Sequence, residues 1–192
     1  PPVEDPYLPT DYVDPLIGAG GVGFGIAAAF PGPTVPFGHV RLGPDTSLSS
    51  GAMPIFHCAG YWYEDTHIQG FSHIHLHGTG VAEYGNVMFM PTLGIDETKT
   101  DERGYRSEFG HETETVEVGY YDVTLDDTDI RVELTATHHV GLQRYTFPAA
   151  DDAVVLIDLS HSVSNDGIGD SDVHLDPDHA EITGHIFDDN GF

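Results

Sequence analysis

The sequence has very few basic residues. Only six of its 192 residues are lysine or arginine, against 32 aspartates and glutamates, and the formal net charge is −26. A chain so poor in cations cannot neutralise phosphates, which excludes nucleic acid as a partner. Such acidic surfaces are typical of proteins adapted to high salt, where screening relieves the self-repulsion of the chain. An acidic secreted protein is the alternative, and the charge balance alone leaves both open.

Cysteine and long apolar runs are also scarce. Cys58 is the only cysteine, so no disulfide can form within the chain. No apolar run approaches the roughly 18 residues that a membrane-spanning helix needs, so we expect no membrane span. The chain begins with Pro1 and Pro2, which fits a processed N-terminus. We therefore expect an extracellular or periplasmic protein, in a high-salt environment if the acidic surface is an adaptation.

Long helices are disfavoured by 23 glycines and 13 prolines spread along the chain. Short runs of β-branched and aromatic residues between turn residues predict an all-β fold, an antiparallel β-sandwich. Residues 1–10 are interpreted as a proline-rich leader and residues 11–192 as one sandwich domain. Besides the histidine run described next, strands are predicted at residues 84–94 (ended by Pro91), 116–125, 130–137, 140–147, 153–159 and 180–187, with a hairpin turn at 126–129.

The most unusual stretch is GFSHIHLHGTG at residues 70–80. In an extended strand, side chains two residues apart share a face, so His73, His75 and His77 would project together. A three-histidine face of this kind suits a catalytic zinc ion, which takes three protein ligands and one open position. A structural or substrate-facing polar role is the alternative, because alternation by itself is a weak signal.

Two further segments invite a functional interpretation. Residues 55–63, IFHCAGYWY, bring aromatic rings and histidines together, as sugar-binding surfaces do, although a buried core strand would have the same composition. The glycine-rich residues 18–25 resemble a phosphate-binding loop only in composition. No Lys-Ser/Thr follows, and prolines at positions 31, 33 and 36 forbid the helix that such a loop requires. Tight turns close to a surface or ligand are the better interpretation.

Six blocks, in order along the chain, carry a family resemblance. The blocks are VDPLIGAGG (13–21), FPGPTVPFGHVRLGPDT (30–46), CAGYWYEDTHIQGFSHIHLHGTG (58–80), YGNVMFMPTLG (84–94), YRSEFGHETETVEVGYYDVTL (105–125) and IRVELTATHHVGLQRYTFP (130–148). Together they resemble the N-terminal domain of glycoside hydrolase family 92, the calcium-dependent exo-acting α-mannosidases. The match spans nearly the whole chain, from Tyr12 to Leu159, and six blocks in order are far more specific than one short motif.

The resemblance implies a β-sandwich that in the family precedes an (α/α)6 barrel. The catalytic carboxylates and most of the calcium site belong to that barrel, so we assign no catalytic residue and no metal ligand to this chain. The sandwich is expected to be incomplete at its C-terminal end. Inverting hydrolysis needs two carboxyl groups about 6.5–9.5 Å apart, and calcium as a hard cation binds oxygen ligands such as sugar hydroxyls.

The resemblance also implies a part for this domain in the sugar pocket. The loop at residues 58–63 and the turn at 78–80 are the expected wall segments. Many relatives carry a tryptophan just before the Cys-x-Gly-Tyr segment, where this chain offers Phe56 or His57 instead. The expected substrate-binding residues are Phe56, His57, Cys58, Tyr61, His73, His75 and Thr79.

Two functions remain open on the sequence. The first is the sandwich part of an inverting, calcium-dependent exo-α-mannosidase acting on mannose-containing glycans, completed by a C-terminal catalytic domain or a partner chain. The second is a non-catalytic module of the same family that binds glycan or builds an extracellular assembly. A longer polypeptide carrying the barrel favours the first, and a discrete product of this length favours the second.

Overall fold

The structure is a computed structural model that describes residues 8–21, 28–47, 57–78, 80–163 and 168–188. Within these residues eleven strands dominate, and the longest α-helix is the single turn α1, Glu102–Tyr105. Short 3-10 turns occur at Pro9–Tyr12, Glu97–Thr100 and His111–Thr113. The strands are β1 (Gly43–Ser47), β2 (His67–Ser72), β3 (Met88–Leu93), β4 (Ser107–Glu108), β5 (Thr115–Glu117), β6 (Tyr120–Leu125), β7 (Ile130–Ala136), β8 (Gly141–Thr146), β9 (Ala153–Asp158), β10 (Ile168–Asp176) and β11 (Glu181–Asp188).

The strands form two main antiparallel sheets and one separate hairpin. The first sheet has the order β1-β2-β3-β9, with β4 paired to β2. The second is the meander β5-β6-β7-β8, and β10 pairs only with β11. The predicted antiparallel β-sandwich is therefore confirmed. No helix in the described part of the chain is long and apolar enough to cross a membrane.

The hydrophobic core lies between the two main sheets. Ile68 and Phe71 of β2 and Met88 and Met90 of β3 are fully buried or nearly so, and they face a second buried layer. That layer comes from β6 and β7, where alternate side chains point inward as expected for a sheet with one solvated face. Its members are Tyr121, Val123, Leu125, Ile130, Val132 and Leu134.

Several predicted strand boundaries differ from the structure. Pro91 does not end β3 but lies inside it, opposite Val155 of β9. Strand β2 pairs with β3 only at Phe71 and Phe89, so β3 has no β2 ladder beside position 91, and proline is tolerated next to such an unpaired edge. The predicted strand at 116–125 is divided by a turn at Gly119, which has a φ of +79°. The hairpin turn at 126–129 is confirmed.

The predicted extension of the histidine run into one strand is wrong. Strand β2 ends at Ser72, and beyond it His75 makes only an isolated bridge with Tyr84. The chain leaves the ladder because its backbone bonds to other segments: Arg41 N–H donates to the His73 carbonyl, and Gly85 N–H donates to the Ile74 carbonyl. The period-two rule therefore stops applying before the first histidine.

Candidate functional site

Three segments that are far apart in sequence come together in the structure. Tyr63 N–H donates to the Ala19 carbonyl at 2.8 Å, and Gly21 N–H lies 3.2 Å from a carboxylate oxygen of Glu64. The Cys58 thiol lies beside the backbone of Gly80. We call residues 18–21, 57–64 and 77–80, without the undescribed position 79, the loop cluster. Both segments expected to form a pocket wall, the loop at 58–63 and the turn at 78–80, belong to it.

A chain of four titratable side chains, three of them buried and the fourth partly exposed, lies directly beneath the loop cluster. Asp45 of β1 accepts a hydrogen bond from His75 Nε2 at 2.9 Å, and its second carboxylate oxygen lies 3.2 Å from His161 Nε2. His161 Nδ1 in turn donates to Glu102 of α1 at 2.8 Å. Asp45, His75 and His161 are all almost inaccessible to solvent. We call these four residues, Asp45, His75, His161 and Glu102, the buried charge network.

The loop cluster and the buried charge network are in direct contact at Gly60. A Cβ atom at this position would lie 2.2 Å from Asp45 Oδ1 and 2.9 Å from His75 Nε2. Gly60 also has a φ of +83°, a region that side-chain-bearing residues rarely adopt. Only glycine therefore lets the loop descend onto the Asp45–His75 pair, and the position of the loop depends on that pair.

The remaining nitrogen of His75 is also engaged. His75 Nδ1 lies 2.7 Å from the Arg41 carbonyl, and Ser72 Oγ lies 3.0 Å from Nε2. Phe30 stacks on the imidazole with ring centroids 4.8 Å apart. This ring is held on both edges and on one face, so its orientation is fixed by packing and hydrogen bonds.

The protonation states of the network follow from its charges. Burial alone would raise the pKa of Asp45, but His75 and His161 outweigh that effect and hold its pKa well below the usual range. Burial likewise disfavours the cation of His161, yet contacts with the carboxylates of Asp45 and Glu102 raise the pKa of His161 to about 10. At neutral pH the network therefore contains a buried carboxylate beside a buried imidazolium.

This arrangement predicts a specific pH dependence of stability. The folded-state pKa of His161 lies above its ordinary value of 6.5, so its contribution to the free energy of unfolding is complete below pH 6.5. The contribution decreases as the pH rises towards about 10. Urea unfolding between pH 6 and pH 10 should show this fall, and His161→Gln should flatten the curve. An unchanged slope in that variant would contradict the assignment.

The contribution of Asp45 to the free energy of unfolding depends on pH in the opposite direction. Because its pKa is lowered by folding, its contribution is present above its ordinary value of 3.8 and is lost as the pH falls through the folded-state value. The contributions of Asp45 and His161 are therefore both complete only between about pH 3.8 and pH 6.5.

A second buried pair supports the loop from its other side. His57 Nε2 lies 2.5 Å from Asp65 Oδ2, and the same oxygen accepts a hydrogen bond from Thr46 Oγ1 at 2.7 Å. The Thr46 hydroxyl then accepts from Trp62 N–H at 2.9 Å. Because Thr46 follows Asp45 on β1, this one short strand contacts the loop twice, at Gly60 through Asp45 and at Trp62 through Thr46.

The structure separates the residues predicted to bind substrate into three groups. His57, Cys58 and Tyr61 lie together in the loop and are buried. His75 is buried beneath it, whereas His73 contacts Phe89, with ring centroids 5.2 Å apart, on another side of the chain. Phe56 and Thr79 lie outside the described residues.

Tyr61 illustrates how deeply the loop is anchored. Its hydroxyl donates to the carboxylate of Glu114 at 3.1 Å, and Tyr121 donates to the same carboxylate at 2.7 Å. Burial and the nearby Glu114 raise the pKa of Tyr61 well above its usual range. Through this shared carboxylate, the Tyr61 hydroxyl connects the loop to Tyr121 of the second sheet.

The histidine run does not form one metal-binding face. His75 is buried and His77 is exposed, with its ring edge-on to Phe30 at 5.7 Å between centroids, while His73 turns towards Val87. Within the ranges described, no group of three or more histidine, cysteine or acidic side chains could hold a metal ion. Among the described residues we therefore assign no set of acidic side chains to calcium, which takes oxygen ligands.

The sequence pattern did not reveal three members of the buried charge network. Asp45 lies within one of the blocks that carry the family resemblance, but nothing in its neighbourhood predicts a buried ion pair. His161 and Glu102 belong to a loop and a single helical turn with no recognisable motif. The burial of all five residues of β1, GPDTS, is seen only in the structure.

The fold and the loop cluster define an antiparallel β-sandwich whose glycine-rich turns and aromatic loop meet above a buried ion network. The sequence profile of the glycosyl hydrolase family 92 N-terminal domain matches residues 12–192. The chain therefore belongs to glycoside hydrolase family 92.

Known structures agree with this assignment. A family GH92 alpha-mannosidase from Bacteroides thetaiotaomicron, solved in complex with mannoimidazole, is 32% identical and superposes with a TM-score of 0.70 over 80% of this chain and 20% of its own. A family GH92 inverting mannosidase from Bacteroides thetaiotaomicron VPI-5482 covers 95% of this chain and 23% of its own, with a TM-score of 0.73 and 24% identity. The latter similarity shows the fold alone.

A curated relative points the same way. An uncharacterized secreted glycosidase of Arthroderma benhamiae is 28% identical over an alignment of 160 residues, which covers 78% of this chain and 19% of the relative. The chain thus spans about a fifth of the length of these relatives.

Proposed function

We propose that this chain is the N-terminal sandwich part of an inverting, calcium-dependent exo-α-mannosidase that acts on mannose-containing glycans. The observation that carries the proposal is the similarity, 32% identity over 80% of the chain, to a protein described as an alpha-mannosidase. The catalytic carboxylates and most of the calcium site belong to a C-terminal domain or a partner chain. An exported protein in a high-salt environment fits the acidic composition and the secreted relative.

The loop cluster is the part of this chain that we assign to the sugar pocket. It brings an aromatic loop and glycine turns together, and the exposed side chain of His77 lies at its edge. Ligand sites often form between domains, where one domain supplies a rigid wall. This wall is held in place by the buried residues His57, Cys58, Tyr61 and His75. Phe56 and Thr79 are its proposed substrate contacts. His73 contacts Phe89 and is the proposed residue with the weakest link to the pocket.

The activity is tested on the longest polypeptide that carries this domain. We expect it to release mannose from the non-reducing end of α-mannosides, with inversion at the anomeric carbon, and to lose activity when calcium is chelated. Residues 1–192 alone should release none. Activity that survives complete chelation would contradict calcium dependence, and a polypeptide with glycan binding but no hydrolysis would support the non-catalytic module instead.

The contribution of the wall has a separate test in the same polypeptide. His77→Ala removes an exposed side chain of the loop cluster and should raise KM severalfold with little change in kcat, because a remote contact contributes to binding of substrate and transition state alike. His138→Ala, an exposed histidine of the β7–β8 turn, is the matched control and should leave KM unchanged. Equal KM values in the two variants would exclude this edge of the cluster from the pocket.

A further inference from the structure

Two exposed histidines from distant parts of the chain meet at one point on the surface. His39 lies in the connection between Thr34 and Arg41, which form an isolated bridge, and His139 lies in the turn between β7 and β8. Their Nδ1 atoms are 3.1 Å apart, and their ring centroids are 4.8 Å apart at an angle of 61° between the planes. Neither residue belongs to the loop cluster or to the buried charge network.

The backbone fixes the relative position of the two residues. His39 N–H donates to the His138 carbonyl at 2.8 Å, which joins the first segment directly to the turn. The turn itself is closed by Thr137 N–H, which donates to the Val140 carbonyl at 2.8 Å, and by Val140 N–H, which donates to Thr137 Oγ1 at 3.1 Å. The two imidazoles therefore approach each other from anchored backbones, and the site is organised before any ligand binds.

The separation of the two nitrogens matches that of two ligands on one metal ion. Zinc–nitrogen bonds of about 2.0–2.1 Å place two imidazole nitrogens roughly 3.3 Å apart at a tetrahedral angle and roughly 2.9 Å apart at a right angle. The observed 3.1 Å lies between these limits. Imidazole nitrogen suits zinc and copper, whereas calcium prefers oxygen, so the site differs in kind from a calcium site.

We propose that His39 and His139 together bind one divalent transition-metal ion, zinc or copper, through both Nδ1 atoms, with water completing the coordination. Without metal, one Nδ1–H donates to the other Nδ1; on binding, that proton moves through solvent to Nε2 of the same ring, and the metal takes its place between the nitrogens. The net charge of −26 favours the approach of cations. The bound ion would link the 34–41 segment to the β7–β8 turn.

The test uses Cu²⁺ added to the purified protein, with electron paramagnetic resonance as the readout because it distinguishes nitrogen ligands from the many carboxylate oxygens. We expect one equivalent of Cu²⁺ to show coupling to two imidazole nitrogens and to be displaced only by a large excess of Zn²⁺, because nitrogen sites bind Cu²⁺ more tightly than Zn²⁺. His39→Asn and His139→Asn should each remove the two-nitrogen signal and weaken binding by at least about tenfold, since each deletes one of two protein ligands.

His138→Asn is the matched control, because His138 is an exposed histidine of the same turn whose ring centroid lies 6.4 Å from that of His139. It should bind Cu²⁺ as the unchanged protein does. Thermal unfolding without metal should be the same in all variants, since the substituted side chains are exposed. The proposal is overturned if the unchanged protein shows no two-nitrogen signal, or if the His138 variant loses it as the other two do.

Discussion

Replacement of Asp45 by asparagine is expected to lower the free energy of unfolding by about 3–5 kcal/mol, because it leaves the imidazolium of His161 buried without its main counter-charge. Asp45 is 1% exposed and contacts both His75 and His161. Asparagine keeps the shape of the side chain but not its charge. A typical domain has a stability of only about 5–15 kcal/mol, so this one change removes a large share of it.

Equilibrium unfolding in urea at pH 7 measures this effect. Asp151→Asn, at an exposed aspartate before β9, is the control and should change the free energy of unfolding by no more than about 0.5 kcal/mol. The double variant Asp45→Asn, His161→Gln should be less destabilised than the sum of its single changes, since the two residues are in contact. Additive effects, or a loss below about 1 kcal/mol in the single variant, would mean that the pair is not coupled.

The second sheet is the part of the fold that the sequence predicts best. In β7, residues 130–136, β-branched and apolar residues alternate with polar ones, and the acidic turn at 126–129 marks the hairpin. One face of this sheet packs on the core, so the alternation of side chains reports burial directly. Local pattern and tertiary structure therefore carry the same information there.

The first sheet is harder to predict because polar contacts stabilise it as well as apolar burial. Strand β1 has the sequence GPDTS and no apolar residue, yet all five of its residues are buried. Asp45 and Thr46 are buried because partners from other segments meet them, His161 and Asp65 among them. Only the tertiary fold brings such partners together, and the periodicity of the sequence does not predict them. The sequence does not predict strand β10, at residues 168–176, because this strand is rich in aspartate and mostly exposed.

The candidate site likewise has parts that the local sequence predicts and parts that depend on long-range contacts. The sequence predicts the loop at 58–63 and the turn at 78–80 as wall segments of one pocket, and the structure brings them into contact. It also brings the glycine turn at 18–21 to the same loop, which the sequence interpretation does not predict. The histidine run was predicted to share one face, but strand β2 ends at Ser72 and the three rings diverge. Alternation predicts a common face only while a strand continues, and hydrogen bonds from Arg41 and Gly85 to this segment are long-range contacts that a local pattern does not contain.

Gly60→Ala is expected to destabilise the protein by roughly 2–6 kcal/mol, through backbone strain at positive φ and through overpacking in a buried site. The new methyl group would lie 2.2 Å from Asp45 Oδ1 and 2.8 Å from His75 Cδ2. Neither side chain can move freely, because Asp45 is held by His161 and His75 is held by the Arg41 carbonyl. The loop must therefore lift away from the network or break the Asp45–His75 hydrogen bond.

Gly119→Ala separates the two causes. Gly119 has a φ of +79°, close to that of Gly60, but a Cβ atom there would meet nothing within 4 Å. It should therefore cost only the backbone strain, about 1–2 kcal/mol. Urea unfolding of both variants at pH 7 gives the difference, which measures how tightly the loop cluster rests on the buried charge network. If Gly60→Ala costs no more than Gly119→Ala, the loop yields easily, and the network does not fix the wall that we assign to the sugar pocket.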